Sequence, residues 1–332
     1  MSRAPHDVLD RQLWADRVHR FRCMAVDVTV HLVRPVTDPV AATERAEQVF
    51  RAVETACTRF DETSALMRAN AAGNAWYEVP DVCFAALVEA ERAHRRTRGR
   101  FDPRVLTSLT RLGYDRSLPF GSGPVDLGPR PVAAAPIRTL RLRPPWRPGF
   151  DRERSAVRIG PDPVDLGGIG KGLAVRWAAE ALRGSAQSIL VEAGGDLITT
   201  GRGPTDDGWR AAVEDPRGGE GPVAVLEVSD TACATSSIRL RSWQVGGRLV
   251  HHLLDPATGE PGGDGLLSVT VLDPDPATAE VWSKTLFLAG RSGIAQAAAN
   301  RDIAACWVDT EGRIGGSERL APALLWTAPH AC

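Results

Sequence analysis

The sequence predicts an α+β fold in which mixed, largely antiparallel sheets pack against helices. Three observations carry this. Apolar residues recur at helical spacing over 39–58, 81–98 and 171–183. Other segments, such as MAVDVTVHLV (24–33), alternate apolar and polar residues or run apolar between turn signals, as strands do. The strand segments are antiparallel-compatible and mixed with helices, and no fixed-period repeat is present.

Residues 5–20 read as a short amphipathic helix, making 1–20 an N-terminal helical extension to one domain over 21–332. The 39–58 helix presents Ala46, Val49, Phe50, Val53 and Cys57 on one face. TRFDETSALMRANAAG (58–73) reads as a loop with a turn. The 81–98 helix follows, with Val82, Ala86, Leu87 and Ala90 inward, and RFDPRVLTSLTRLGYD (100–115) reads as irregular. Residues 116–150, rich in Pro, Gly and Arg, read as a surface excursion. SAVRIGP is a strand entering a glycine-rich turn, and Leu173, Ala174, Trp177, Ala178, Ala181 and Leu182 line the helix after it. SILVEAGGDLITTG is a buried strand that breaks at its Gly pair. WRAAVEDP, VAVLEVS, LVHHLLDP and LLSVTVLDP are further strands. Helices at 277–289 and 292–300 lead to a hairpin in IAACWVDTEGRIGGSE.

Composition narrows the function classes. The chain is 43% hydrophobic and 24% charged with net charge −1, and it has no basic tract of the kind that binds nucleic acid. No apolar run reaches the ~18 residues of a membrane span. The N-terminal stretch MSRAPHDVLDRQLWADRVHRFRC is charged throughout and has no signal-type apolar region, so a cytoplasmic location is expected. The six cysteines are scattered without a CxxC pair, which suggests reduced, buried thiols.

Of the 40 Lys+Arg residues only Lys171 and Lys284 are lysines. Lys171 lies inside DLGGIGKG (165–172). Neither a P-loop nor a dinucleotide fingerprint fits that spacing: Asp165 and Gly172 depart from the first, and Ala174 and Val175 from the second. A glycine turn opening a helix still favours an anion, and Lys171 adds a compact point charge there. A plain strand–helix connection is the alternative.

Seven segments in order then resemble one family, the ApbE-type FAD:protein FMN transferases. DLGGIGKGLAV is similar to the family's DLGGIAKGYAV, VEAGGDL to its GGD strand, and WRAAVEDPR to its W…DP strand. ATSS (234–237) is similar to aTSG, HHLLDPATGEP to HIIDPrTGyP, RFDPRVLTSL to FDiTvgpL, and TRFDETSALMRAN to sTYrpdSelsrlN. The resemblance spans Met24 to about Gly290. It implies an ApbE-like, T-fold-related architecture with FAD in a cleft between two halves. The implied activity is transfer of the FMN half of FAD to a threonine or serine hydroxyl of an acceptor protein, with AMP released.

Carried over by position, the resemblance implies FAD contacts at Met24, Phe60, Arg100, Phe101, Asp102, Asp165, Lys171 and Leu253. It makes His252 the general base, an imidazole titrating near neutrality with Asp255 available to hold it. His251 faces the opposite side of the strand and is structural. The implied magnesium ligands are Glu280 and the Gly168 carbonyl, but Lys284 stands where the family has a ligating Thr. Two readings follow. Either Glu280 and Gly168 hold Mg²⁺ with additional waters while Lys284 touches phosphate, or Lys284 supplies the charge and the metal is weak or absent. An ordinary ion pair between Glu280 and Lys284 at i,i+4 is the plain alternative. Flavin binding without transfer, and FAD pyrophosphatase activity, are the rival functions.

Overall fold

The computed structural model describes residues 14–120, 125–128 and 144–329. Eight strands form an antiparallel sheet in the order Arg17–Cys23, Val26–Pro35, Ala186–Ala193, Asp196–Thr200, Ala232–Ser237, Leu266–Asp273, Ala304–Asp309 and Ile314–Gly316. Only Ala232 and Cys233 pair with the 196–200 strand, so the sheet is nearly divided there into two halves. The helices are α1 (Pro39–Cys57), α2 (Ala65–Ala72), α3 (Asp81–Arg96), α4 (Leu106–Arg111), α5 (Gly170–Ala181), α6 (Pro276–Phe287) and α7 (Gly290–Ala299).

Each half has its own core. In the first, Val28, Val30 and Leu32 alternate toward Ala46, Phe50 and Val53 of α1 and Leu173 and Ala174 of α5. Helix α1 begins where it does because Asp38 accepts the Val40 N–H at 2.8 Å and Pro39 opens the first turn. In the second half, Val269, Val271 and Ala305 pack on Leu286 and Phe287 of α6 and Ile294 of α7. Helix α5 touches both α1 and α6 and so ties the halves together. A smaller sheet of Arg210–Glu214, Pro222–Glu227 and Leu324–Thr327 covers the opposite face, with Val213 and Leu226 against Val308 and Leu320. Another, Ser242–Val245 with Arg248–His251, buries Trp243 completely against Leu109 and Leu112.

The α+β expectation holds, and several local expectations change. Residues 17–20 are strand, not helix: Arg17, His19 and Phe21 point at Thr43, Glu47 and Phe50 of α1, a two-residue alternation that tertiary contact selects. Residues 5–13 of the expected helix lie outside the described residues. The loop expected over 58–73 contains α2, started by the Ser64 hydroxyl accepting the Met67 N–H at 3.1 Å. The irregular 100–115 segment contains α4. LVHHLLDP is not one strand, because pairing stops at His251 and resumes at Leu254. Most of the expected 116–150 excursion lies outside the described residues. Its end is core: Trp146 is buried and donates its indole N–H to the Ile159 carbonyl at 3.0 Å.

A close backbone-to-backbone contact joins the first turns of α5 and α6. A Cβ on Gly172 would sit 2.6 Å from Ala277 Cα and 2.7 Å from the Pro276 carbonyl oxygen. Only glycine allows that approach. Asp275 caps α6 by accepting the Thr278 N–H at 2.7 Å, and its carboxylate also receives both arms of Arg176 from α5, at 2.5 Å each. Gly172→Ala should therefore destabilise the fold by about 1–3 kcal/mol through overpacking. Gly221→Ala, where a Cβ meets nothing within 4 Å, serves as the control. Identical thermal midpoints for the two variants would contradict the packing argument.

Candidate active site

A cleft of about 1310 Å³ runs between the two halves, and all twelve site residues named from the sequence line it. On one wall is the hairpin tip Met24–Ala25. Both residues have positive φ, 53° and 60°, the backbone of a tight two-residue turn. Glu54 of α1 holds that turn. Its Oε1 accepts the Met24 N–H at 2.6 Å, and its Oε2 accepts the Cys23 thiol at 3.1 Å. Met24 thereby projects toward Gly170, the first residue of α5.

Phe60 is 44% exposed and covers Arg59, whose guanidinium lies 4.2 Å from the Phe60 ring centre and 4.2 Å from that of Tyr114. Arg59 Nε is 3.7 Å from an Asp165 oxygen, and its buried Nη2 has no hydrogen-bond partner. Asp165 accepts the Gly167 N–H at 3.0 Å and so shapes the glycine turn. Asp102 is buried and engaged twice by Arg104, at 2.9 and 2.7 Å. Its charge is spent within its own turn. Phe101 is buried beside Gly168, where a Cβ would approach its ring to 3.0 Å, and Arg100 is exposed at the rim.

The centre of the cleft floor is a cluster of four charges. Lys171 donates to Asp196 Oδ2, and Asp196 Oδ1 accepts the Thr235 N–H at 3.2 Å. Glu280 Oε1 receives the Lys284 ammonium at 3.1 Å and lies 3.5 Å from that of Lys171. Glu280 Oε2 accepts the Gly172 N–H at 2.8 Å. Glu280 and Asp196 are 1% and 0% exposed. Burial pushes the Glu280 carboxyl up, but Lys171 and Lys284 outweigh it and bring its pKa down to about 2. Burial also works against the Lys171 ammonium, and Asp196 and Glu280 overcome it, raising its pKa. Burial wins at Lys284, whose pKa is lowered. The two carboxylates balance the two lysines, so these four side chains carry no net charge.

This cluster bears on the expected magnesium ligands. Every approach to Glu280 from the cleft is already answered by an N–H, either an ammonium or the Gly172 amide. The Lys284 stem passes over Gly168, with Cδ and Cε 3.6 and 3.7 Å from where a Cβ would be. A divalent cation on Glu280 would meet an ammonium on the same oxygen. The residues present do not fit Mg²⁺, and no group of three His, Cys, Asp or Glu residues suited to a metal occurs among the described residues.

His252 sits in the break between two strands. Its Nδ1 donates to the Arg241 carbonyl at 3.2 Å, which leaves Nε2 as the unprotonated nitrogen. Asp255 does not hold it; that carboxylate caps its own turn through the Ala257 N–H at 2.8 Å. Burial, Arg241 and Lys284 push His252 well below the usual imidazole range, so it is neutral rather than poised near neutrality. His251 packs edge-on to Phe287, with its Nδ1 buried and without a partner, and burial lowers its pKa to about 4. Leu253 is buried beside the cleft.

The model of the ApbE family matches residues 24–307. The chain belongs to the ApbE family. It is 27% identical over 276 residues to the FAD:protein FMN transferase of Treponema pallidum, covering 79% of this chain and 75% of that protein. It is 34% identical over 141 residues to the FAD:protein FMN transferase of Vibrio cholerae, covering 42% of each. Among solved structures, the ApbE protein of Thermotoga maritima superposes with a TM-score of 0.77 at 25% identity, over 93% of this chain and 99% of that one. The Vibrio cholerae flavin transferase ApbE superposes at 0.73 and 22% identity, over 93% and 99%. The family match thus reaches past the motifs that suggested it.

Four residues at or beneath the cleft were not singled out in the sequence: Glu54, Arg59, Asp196 and Arg241. Asp196 stands inside VEAGGDL and Arg59 next to Phe60, so the motifs already contained them. Glu54 and Arg241 carry no local signal; Glu54 is one acid on a helix and Arg241 one arginine in a short turn. Two stability predictions follow from the buried charges. Asp196→Ala leaves Lys171 short of its nearest counter-charge and should cost about 3–5 kcal/mol in urea unfolding. A loss below about 1 kcal/mol, the scale of an exposed pair, would contradict the buried cluster. His251 stays neutral when folded but takes a proton near pH 6.5 when unfolded, so its contribution to stability falls as pH drops from 6.5 toward 4. His251→Asn should shrink that acid-side loss, and an unchanged stability–pH curve would count against it.

Proposed function

We propose that the chain transfers the FMN half of FAD to a threonine or serine hydroxyl of an acceptor protein and releases AMP. The observation that carries this reading is His252: a half-buried imidazole with an unprotonated Nε2, set in the cleft close to Arg241 and Lys284. Beyond the balanced four-charge cluster, the cleft holds Arg241, which has no ion-pair partner among the described residues. A guanidinium not engaged by a carboxylate is free to meet a pyrophosphate oxygen. The names of the Treponema and Vibrio relatives support the same substrate.

In the proposed step the acceptor hydroxyl oxygen attacks the phosphorus of the FMN half. The bond from that phosphorus to the bridging oxygen breaks, AMP departs with the bridging oxygen, and the hydroxyl proton passes to His252 Nε2. A phosphoester-linked flavin remains on the acceptor. Charge on the phosphoryl oxygens is met by the ammonium and guanidinium groups of the cleft floor, so this chain's contribution is positioning, charge neutralisation and one proton acceptance. Met24, Phe60 and Leu253 supply apolar surface for the flavin and adenine rings.

Purified protein incubated with FAD and a panel of threonine- and serine-containing peptides should yield peptide-bound FMN and AMP, read by mass spectrometry. Free FMN with AMP and no peptide adduct would make the protein a pyrophosphatase, and intact bound FAD would make it a carrier. His252→Ala should slow transfer by roughly 10²–10⁴-fold, the scale of a lost general base, while FAD still binds. The pH dependence has a definite sign. Because the folded His252 pKa is depressed, the acidic limb of kcat/KM should fall below pH 6.5, and it should vanish in His252→Ala. A limb at or above 6.5 would remove His252 as the base.

A further inference from the structure

We infer that Lys284 takes the place of a divalent cation, so that FAD is bound and cleaved here without metal. The inference rests on the flavin-transfer reading of the cleft and concerns how the cleft meets the pyrophosphate.

The geometry is that of a built-in cation. The Lys284 ammonium lies 3.1 Å from Glu280 Oε1 and 3.4 Å from the Glu280 carbonyl oxygen, one helical turn back. Its stem lies against Gly168, the residue whose carbonyl the family resemblance assigned to the metal. The same side chain therefore occupies the carboxylate oxygen and the space over the glycine turn. Lys171 approaches that carboxylate oxygen from the other side, at 3.5 Å. Two positive charges already share one oxygen, and a third, doubly charged ion at that point would be repelled by both.

Residue type agrees with this. The chain uses arginine almost everywhere it needs a base, and its only two lysines meet at Glu280. A guanidinium is a flat fork that suits paired, planar acceptors. An ammonium is a compact point charge with three donors. It can sit on a helix turn, satisfy a carboxylate and a carbonyl, and keep a third N–H for a phosphate oxygen. The charge it brings is smaller than that of a metal ion; Arg241, near enough to Lys171 to act on it, adds positive charge outside the balanced cluster.

The wild-type protein tests this directly. After treatment with chelator, FAD affinity by flavin fluorescence and the rate of AMP release should be the same in excess EDTA as in millimolar Mg²⁺. Electron paramagnetic resonance of added Mn²⁺, with FAD present, should show no ion retained by the protein. Lys284→Thr should lose about 10²-fold in AMP release in EDTA, the usual result of removing a preorganised charge, and should gain Mn²⁺ binding. Wild-type protein that binds or cleaves FAD only with Mg²⁺, or retains Mn²⁺, overturns the inference and leaves the flavin-transfer reading standing. Failure to bind FAD in either medium overturns both. If Lys284→Thr does not fold, the wild-type comparison still decides.

Discussion

The contact between Gly172 and the first turn of α6 is the constraint on which the rest depends. No other residue lets the two helix starts approach so closely. That approach carries the Gly172 N–H onto Glu280 and brings Lys171 alongside it. It also joins the two halves of a sheet that is scarcely paired at its middle. The cleft exists because the halves are held together at one face by α5 and α6 while the strands between them diverge. The DLGGIGKG turn is thus a packing device first, and its electrostatics follow from where the packing puts it.

Buried charges need partners, and here the partners come from three separate elements. Lys171 is on α5, Asp196 opens a strand after a glycine hairpin, and Glu280 and Lys284 lie one turn apart on α6. Removing a member leaves an uncompensated charge, a loss far larger than the net worth of any one pair. Such a network adds little net stability and instead sets position: each ammonium can occupy only the place its carboxylates define. The same reasoning explains a neutral His252. A protonated imidazole next to Arg241 and Lys284 would add positive charge where none can be balanced, so the ring stays neutral and offers Nε2.

The two walls of the cleft differ in kind. The wall around Met24, Phe60 and Phe101 is aromatic and apolar, stiffened by Glu54 under the hairpin tip and by Arg59 between two rings. The floor around α6 is charged and closely hydrogen-bonded. A ligand with flat rings and an anionic linker matches both surfaces, which is the chemistry of a dinucleotide such as FAD.

The sequence by itself determined the family, the α+β class, most helices and strands, and twelve residues that converge on one cleft. These were legible because they lie in short motifs or in strongly periodic segments, where local pattern and final structure agree. The tertiary structure decided what those residues do to one another. The 17–23 strand, α2 and the interruption at His252 depend on contacts distant in the chain, to which local periodicity is blind. Asp102 reads in the sequence as a ligand-binding acid; in the structure it lines the cleft and is also bonded to Arg104, two residues away, through a backbone bend that composition does not encode. Glu280 reads in the sequence as a metal ligand or a surface ion pair; in the structure it is buried, and a second lysine from α5, over a hundred positions earlier, joins Lys284 at its carboxylate. Spacing along one helix brings Glu280 and Lys284 together. Only the approach of a second helix determines whether that pair faces water, a metal or another charge, since electrostatic energy depends on three-dimensional distance and burial rather than on order in the chain.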